Sequence, residues 1–281
     1  MKAPDFRYER PESLSAALAL LADEANGAQP LAGGQSLMPM LNFRVAAPEM
    51  LVDLSGVAEL RGISDSGDSI RIGAMTRYRD LAEWSDLEAK LPLVALALPH
   101  IAHHAIRNRG TIGGSISLAD PAAEMPALMM ALDAEITLTS ADGERTVPAS
   151  EFFLGFYETA REENELVTSV RVPAATSGQR SAFYELAPRH GDYAMAGVAM
   201  VADAASPITN LRAAFFGIAG QPIRLSVLEA ALNGKAPDDE AAITVATAAF
   251  DEVDFIDDLK ASAATRRHLA GVVLKRALAE L

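Results

Sequence analysis

Cysteine is absent from all 281 residues. That excludes disulfides, thiolate zinc sites and any iron–sulfur cluster ligated by cysteines of this chain. Basic residues are outnumbered, 24 Lys and Arg against 38 Asp and Glu, for a formal net charge of -14. Nucleic acid and anionic membranes both need a basic footprint, so neither is an expected partner. No apolar run approaches the about 18 residues of a membrane helix. The first residues, MKAPDFRYERPESL, hold no apolar core of signal-peptide type, and the expectation is a cytoplasmic protein. Two familiar nucleotide motifs are missing too. There is no Gly-x-Gly-x-x-Gly after a strand pattern, and no Lys-Ser or Lys-Thr follows a diglycine. Nor does a Gly-x-Ser-x-Gly elbow occur, and His190 and Asp192 stand only two apart, so hydrolase chemistry is not expected.

What is present is ordinary globular composition, 50% hydrophobic and 22% charged. A chain of this size buries roughly 75% of its unfolded surface, in one large domain or two to three small ones. Two diglycines stand out. Ile106 to Pro126 reads IRNRGTIGGSISLADPAAEMP, with Gly110, Gly113 and Gly114 close together and Thr111, Ser115 and Ser117 beside them. Adjacent glycines allow left-handed backbone and close approach to a ligand. Bare N–H groups with neighbouring hydroxyls suit phosphate oxygens, and Asp120 and Glu124 supply acceptors for sugar hydroxyls. Leu31 to Leu37, LAGGQSL, repeats the logic.

Along the chain, Phe6–Tyr8, Gln29–Ala32 and Met50–Leu54 read as strands, with a helix opened by Ser13 and stopped at Asn26-Gly27. Ser36–Phe43 reads as a helical turn interrupted by Pro39, its Met38 and Met40 read as core packing. Leu60–Met75 reads as a hairpin, Thr76 as a helix cap, and Pro92–Ala105 as one helix carrying His100, His103 and His104. No acid shares that helix face, and a metal site is not expected there. Arg107 and Arg109 are the candidates for anchoring chain or phosphate charge. Glu124–Leu132 reads as helix, Ala134–Val147 as a hairpin around Asp142-Gly143, and Leu166–Val172 as a strand. Past a small-residue connector at 173–178 come strands near 182–186, 196–202 and 211–218, then helices near 224–232, 238–250 and 262–281.

The pair AGGQSL and RNRGTIGGS, followed by DPAAEMP, resembles the two FAD diphosphate loops and acidic segment of the flavin-binding (medium) subunits of the molybdenum hydroxylases, a family that includes carbon monoxide dehydrogenase and the flavin domain of xanthine dehydrogenase. Order and spacing match, GDYA at 191–194 matches a family motif, and TRRHLAGVVLKRAL resembles the family's closing helix. The resemblance implies an α+β fold: a two-subdomain FAD-binding unit of the vanillyl-alcohol-oxidase type (1–56 and 57–175), then a C-terminal sheet with helices (176–281). It implies non-covalent FAD, held at Ala32, Gly33, Gly34, Gln35 and Ser36 and at Thr111, Ile112, Gly113, Gly114 and Ser115, with Leu37 and Ile106 alongside. Sugar or ribityl hydroxyls fall to Glu124, where relatives often carry Asp, with Asp120 the competitor; Tyr193 would lie over the flavin ring, and Arg189 or His190 would meet the acceptor. Some relatives add an iron–sulfur cluster to this subunit, and a chain without cysteine does not. The implied partners are a molybdenum-cofactor large subunit and a [2Fe-2S] small subunit, as a dimer of heterotrimers. Electrons would then pass from the clusters through FAD to an external acceptor. Two rivals are a stand-alone flavoenzyme of the same fold and a flavin-free scaffold with degenerate loops; the intact glycines oppose the latter.

Overall fold

Ser13 opens the first helix as its place before an apolar-periodic run predicts. In the computed structural model, which describes residues 2–281, strand β1 (Arg7–Glu9) leads to α1 (Leu14–Ala22), and the Ser13 hydroxyl accepts the Ala16 N–H at 3.2 Å. Ala17, Leu18 and Leu21 share the buried face of α1. Then come β2 (Ala28–Leu31), α2 (Leu37–Asn42) and β3 (Met50–Asp53). The three strands pair in parallel with β3 in the middle, an arrangement that requires crossovers such as α1 and α2. Pro39 does not interrupt α2. It sits in the first turn, where an N–H would have no helical acceptor to lose. Of α2 only Leu41 is buried; Met38 and Met40 are half-buried, not core.

The second unit starts with the hairpin β4 (Ile63–Asp65) and β5 (Ser69–Gly73), then short helices α3 (Tyr78–Ala82), α4 (Leu87–Lys90), α5 (Pro92–Ala97), α6 (His104–Arg107), α7 (Ile112–Leu118) and α8 (Glu124–Ala131). It closes with β6 (Glu135–Ser140), β7 (Gly143–Pro148), α9 (Ala149–Phe152), the small hairpin β8 (Phe153–Gly155) and β9 (Glu158–Thr159), and β10 (Leu166–Pro173). An antiparallel sheet in the order β4-β5-β10-β6-β7 results. Thr76 caps no helix; its hydroxyl instead bonds the Gly62 peptide, and Arg77 stands at the start of α3. The single helix expected over Pro92–Ala105 is two, α5 and α6. Pro99 cannot donate the next helical hydrogen bond, and Ala102 turns left-handed at φ 45° before the chain re-enters a helix. His100 therefore lies off the helix that carries His104, and the i, i+3, i+4 geometry does not form.

The third unit comprises β11 (Arg180–Leu186), β12 (Ala196–Ala202), the ribbon β13 (Ala204–Ala205) and β14 (Ile208–Thr209), β15 (Arg212–Phe216), β16 (Ile223–Arg224) and helices α10 (Ser226–Leu232), α11 (Glu240–Ala248) and α12 (Ala263–Leu278). Its antiparallel sheet runs β11-β12-β15-β16, and the central strands β12 and β15 are buried on both faces. Val198 and Met200 of β12 join the core under the C-terminal helices, while Ala199 and Val201 join the central core on the α8 side. That alternation is the two-residue period of a strand expressed as two cores. All eight residues of α8 are buried, because it is packed by α7 and α9 of its own unit and by β12 and β15 of the next. Among the described residues no helix is long and apolar enough to cross a membrane.

Candidate functional site

The two diglycine segments meet, but by different means. Ala32–Ser36 is a true loop between β2 and α2, and Gly34 takes the left-handed conformation at φ 72°. Among the described residues the N–H groups of Gly33, Gly34, Gln35 and Ser36 find no protein acceptor. A Cβ on Gly33 would overlap the Arg109 carbonyl, so the first loop lies directly on the start of the second. The second segment is mostly helix. Thr111 caps α7 by accepting the Gly114 N–H at 3.1 Å, and Ile112 and Gly113 donate to Thr76 and Ala74 at 3.1 and 2.8 Å. Its diglycine is right-handed; the need is space, since a Cβ on Gly113 would run into Ala74.

Between these segments and the third unit lies a cavity of ≈ 690 Å³. Its wall includes Ala32, Gly33, Gly34, Gln35, Ser36, Leu37, Ile106, Thr111, Gly113, Gly114, Ser115, Asp120, Glu124 and Tyr193. Ile112 is the exception among the expected site residues. It is fully buried in the central core, anchoring the first turn of α7 away from the cavity. Met40 reaches the cavity that it was not expected to reach. Arg107 is not on the cavity wall, and its Nη1 donates to the carbonyls of Pro99, Ile101 and Ala102 at 3.3, 2.7 and 2.8 Å. Arg109 faces a second recess of ≈ 720 Å³ that adjoins the back of the glycine loop and includes Arg61 and Arg77. Arg189 is exposed and pairs with Asp192 at 3.8 Å, while His190 lies edge-on to His100.

Two wall residues, Tyr78 and Lys260, escaped the sequence reading, and so did Tyr157, which reaches the wall through Asp120. Tyr78 is buried beside Ser115, and burial raises its pKa. Tyr157, at the left-handed tip of the β8–β9 hairpin (φ 54°), donates to Asp120 at 3.2 Å; burial and that carboxylate push its phenol up to about 12. Lys260 places its ammonium 5.1 Å from the Tyr193 ring centroid. No local pattern marks these residues, because each owes its position to partners far along the chain. Tyr193 itself is half-exposed, and burial followed by the Asp120 charge raises its pKa.

Glu124 is the unusual group on the wall. It is 8% exposed, and burial pushes its carboxyl up to about 8, with Glu185 and Asp120 adding to the rise. At pH 7 it is therefore a neutral acid, able to donate a hydrogen bond as well as accept one. Because the folded value exceeds the unfolded value of 4.5, the folded chain binds more protons between them, and stability falls as pH rises from about 4.5 to about 8. Glu124→Gln should remove that part of the slope in the flavin-free chain and gain on the order of a few kcal/mol over the parent above pH 8. Urea denaturation at pH 5, 7 and 9 measures it. Equal slopes in parent and variant would mean that Glu124 is ionised in the fold.

This architecture, two glycine segments crossing above an acidic and aromatic cavity, defines a dinucleotide-binding flavoprotein class. Residues 4–175 match the family described as the FAD binding domain in molybdopterin dehydrogenase, and residues 181–281 match the CO dehydrogenase flavoprotein C-terminal domain. The carbon monoxide dehydrogenase medium chain of Hydrogenophaga pseudoflava is 41% identical over 99% of this chain and 97% of that one. The glyceraldehyde dehydrogenase medium chain of Sulfolobus acidocaldarius is 37% identical over 100% of both. The solved carbon monoxide dehydrogenase of Hydrogenophaga pseudoflava superposes with a TM-score of 0.95 at 41% identity, covering 100% of this chain and 98% of that one. The chain belongs to the FAD-binding medium subunits of the molybdenum hydroxylase family, and it is an oxidoreductase subunit whose cofactor is FAD. Its own geometry fits that cofactor. Four successive N–H groups without protein acceptors suit a diphosphate, and the neighbouring hydroxyls and acids suit sugar and ribityl oxygens.

Proposed function

We propose that this subunit carries electrons from iron–sulfur clusters of a partner through FAD to an external acceptor. The observation that carries the reading is the cavity itself. All three units build it, and half-exposed Tyr193 stands at its margin, so a flavin seated there has an edge within reach of a docking partner or a small acceptor. A chain without cysteine supplies no cysteine-ligated cluster of its own, and in this reading the clusters belong to a separate subunit. The partners in this reading are a molybdenum-cofactor large subunit and a [2Fe-2S] small subunit, joined as a dimer of heterotrimers in the cytoplasm. The carbon monoxide dehydrogenase and glyceraldehyde dehydrogenase relatives are themselves named medium chains.

Bound FAD supplies two-electron chemistry that links to one-electron carriers. The protein's task is to hold it. In this reading residues 1–56 and 57–175 form the flavin clamp and 176–281 cover it. The Gly33–Ser36 N–H groups and the Ser36 and Ser115 hydroxyls hold the diphosphate. Asp120 accepts from a hydroxyl, Glu124 donates to or accepts from one, and Tyr193 covers the ring and excludes water.

One purification tests the assignment. The chain alone should hold one FAD, released completely by acid, and its flavin should stay oxidised with the organic substrate of the holoenzyme. Co-expressed with the molybdenum and iron–sulfur subunits, it should bleach on substrate addition. Bleaching by the isolated chain would overturn the electron-transfer reading in favour of a stand-alone flavoenzyme.

A further inference from the structure

Tyr193 rides on an arm, residues 187–195, that leaves the sheet at Leu186 and returns where the Met195 N–H meets the Leu186 carbonyl at 2.8 Å. The arm is docked on one irregular stretch of the central unit, residues 99–103. At its base, His100 Nδ1 meets Glu185 Oε1 at 3.2 Å, and the Glu185 side chain is only 4% exposed. Along its side, the His100 ring lies 5.1 Å from Phe183 and 5.4 Å from His190, centroid to centroid. At its tip, Gly191 turns left-handed (φ 83°), and a Cβ there would stand 2.8 Å from the Ala102 carbonyl oxygen and 2.9 Å from the His103 ring. The bed is itself tied down by the three carbonyl bonds of Arg107. Both arm and bed line the cavity, at Gly191, Asp192 and Tyr193 on one side and Ile101, Ala102 and His103 on the other.

We infer that His100 is a positioning residue: through Glu185 it latches the 187–195 arm to the central unit and so sets Tyr193 on the cavity wall. The flavin-facing half of this inference rests on the role proposed above for Tyr193; the latch itself does not. Breaking the contact is costly because, among the described residues, the buried Glu185 carboxylate has no other hydrogen-bond partner, and its Oε2 already lacks one. The latch is also sensitive to protonation. The bond to Glu185 raises the pKa of His100 against its desolvation, and Glu124 from α8 and Glu280 from the end of the chain act in the same direction. His190 on the arm and His103 on the bed are the other titratable groups at the contact. With a raised folded value, the latch's contribution is complete below the ordinary histidine value of about 6.5 and is lost as pH climbs through the raised one.

Two variants separate the bond from the packing. His100→Phe keeps a ring against Phe183 and His190 but removes the donor; His100→Gln keeps a donor that cannot titrate. The primary measurement is hydrogen–deuterium exchange of peptides from 187–195 in the flavin-free full chain at pH 6 and pH 8.5, corrected for intrinsic exchange. Protection in the parent should fall between the two pH values. His100→Phe should exchange roughly tenfold faster at pH 6, as expected when a charge-assisted bond holding a local segment is lost. His100→Gln should keep most of the protection and the same value at both pH values. Parent-like protection of the arm in His100→Phe would overturn the latch. The second measurement is the visible circular dichroism of bound flavin. It should change in His100→Phe as the aromatic wall shifts. A loosened arm with an unchanged flavin band would support the latch and overturn the placement of Tyr193 on the ring.

Discussion

Gly114→Val should weaken FAD binding by on the order of 100-fold, about 2.7 kcal/mol, while the rest of the fold persists. A Cβ at this position would lie 2.8 Å from the Thr111 hydroxyl, which is the cap of α7, and 3.4 Å from the Ala32 side chain across the gap. The first contact displaces the cap, a loss of about 1 kcal/mol confined to one short helix. The second contact, extended by two methyl groups, fills the space between the two glycine segments where the diphosphate is proposed to sit. The damage is local, because a Cβ on Gly114 meets only the Thr111 hydroxyl and the Ala32 side chain, whereas one on Gly113 would run into Ala74. Flavin fluorescence titration into the flavin-free variant gives the affinity, and far-UV circular dichroism reports the fold. Parent-like affinity in a folded Gly114→Val would remove the two-segment clamp.

Arg266→Met should lower stability by about 3 kcal/mol. Arg266 is 3% exposed on α12. One of its nitrogens donates to the Met195 carbonyl at 2.8 Å and to the Gly217 carbonyl, and another reaches the Asp258 carboxylate at 2.8 Å. The side chain thus ties the C-terminal helix to the strand entry behind Tyr193 and to the turn that presents Lys260, whose N–H also bonds Asp258 at 2.9 Å. Methionine fills the volume but leaves the buried Gly217 carbonyl and the part-buried Met195 carbonyl without this donor. The Asp258 share is small, since that side chain is 43% exposed and water screens the lost pair. Urea denaturation against an exposed control, Arg189→Met, measures the effect. A loss below about 1 kcal/mol would show that water replaces the guanidinium at both carbonyls.

Much of the architecture was legible because it follows from local chemistry. Ser13 is a cap in the sequence and a cap in the structure. The hairpin expected around Asp142-Gly143 forms, with Ala141 and Asp142 as its loop and Gly143 already paired with Ser140. Where readings failed, an interaction from outside the window decided. Thr76 has the chemistry of a cap, but the Gly62 peptide takes its hydroxyl from 14 residues away. Pro39 looks like a breaker until its place in the first turn makes its missing N–H harmless. Met38 and Met40 read as core because methionines more often fill a core than line a cofactor site, yet Met40 faces the cavity and Met38 the recess behind the glycine loop.

By itself the sequence determined the kind of ligand and the kind of chain: two diglycines with hydroxyls and acids, no cysteine, and an excess of negative charge. These are statements about which atoms are available, and composition and spacing carry them. Tertiary structure decided what those atoms do. Glu124 and Asp120 are a similar pair in the sequence, but the burial of α8 from both sides pushes the Glu124 carboxyl up to about 8. The three histidines at 100–104 suggested one helix face; the break at Pro99 sends His100 to Glu185, 85 residues away. Burial and long-range pairing depend on how distant segments pack, and no local pattern encodes a desolvation energy or a partner across a domain boundary.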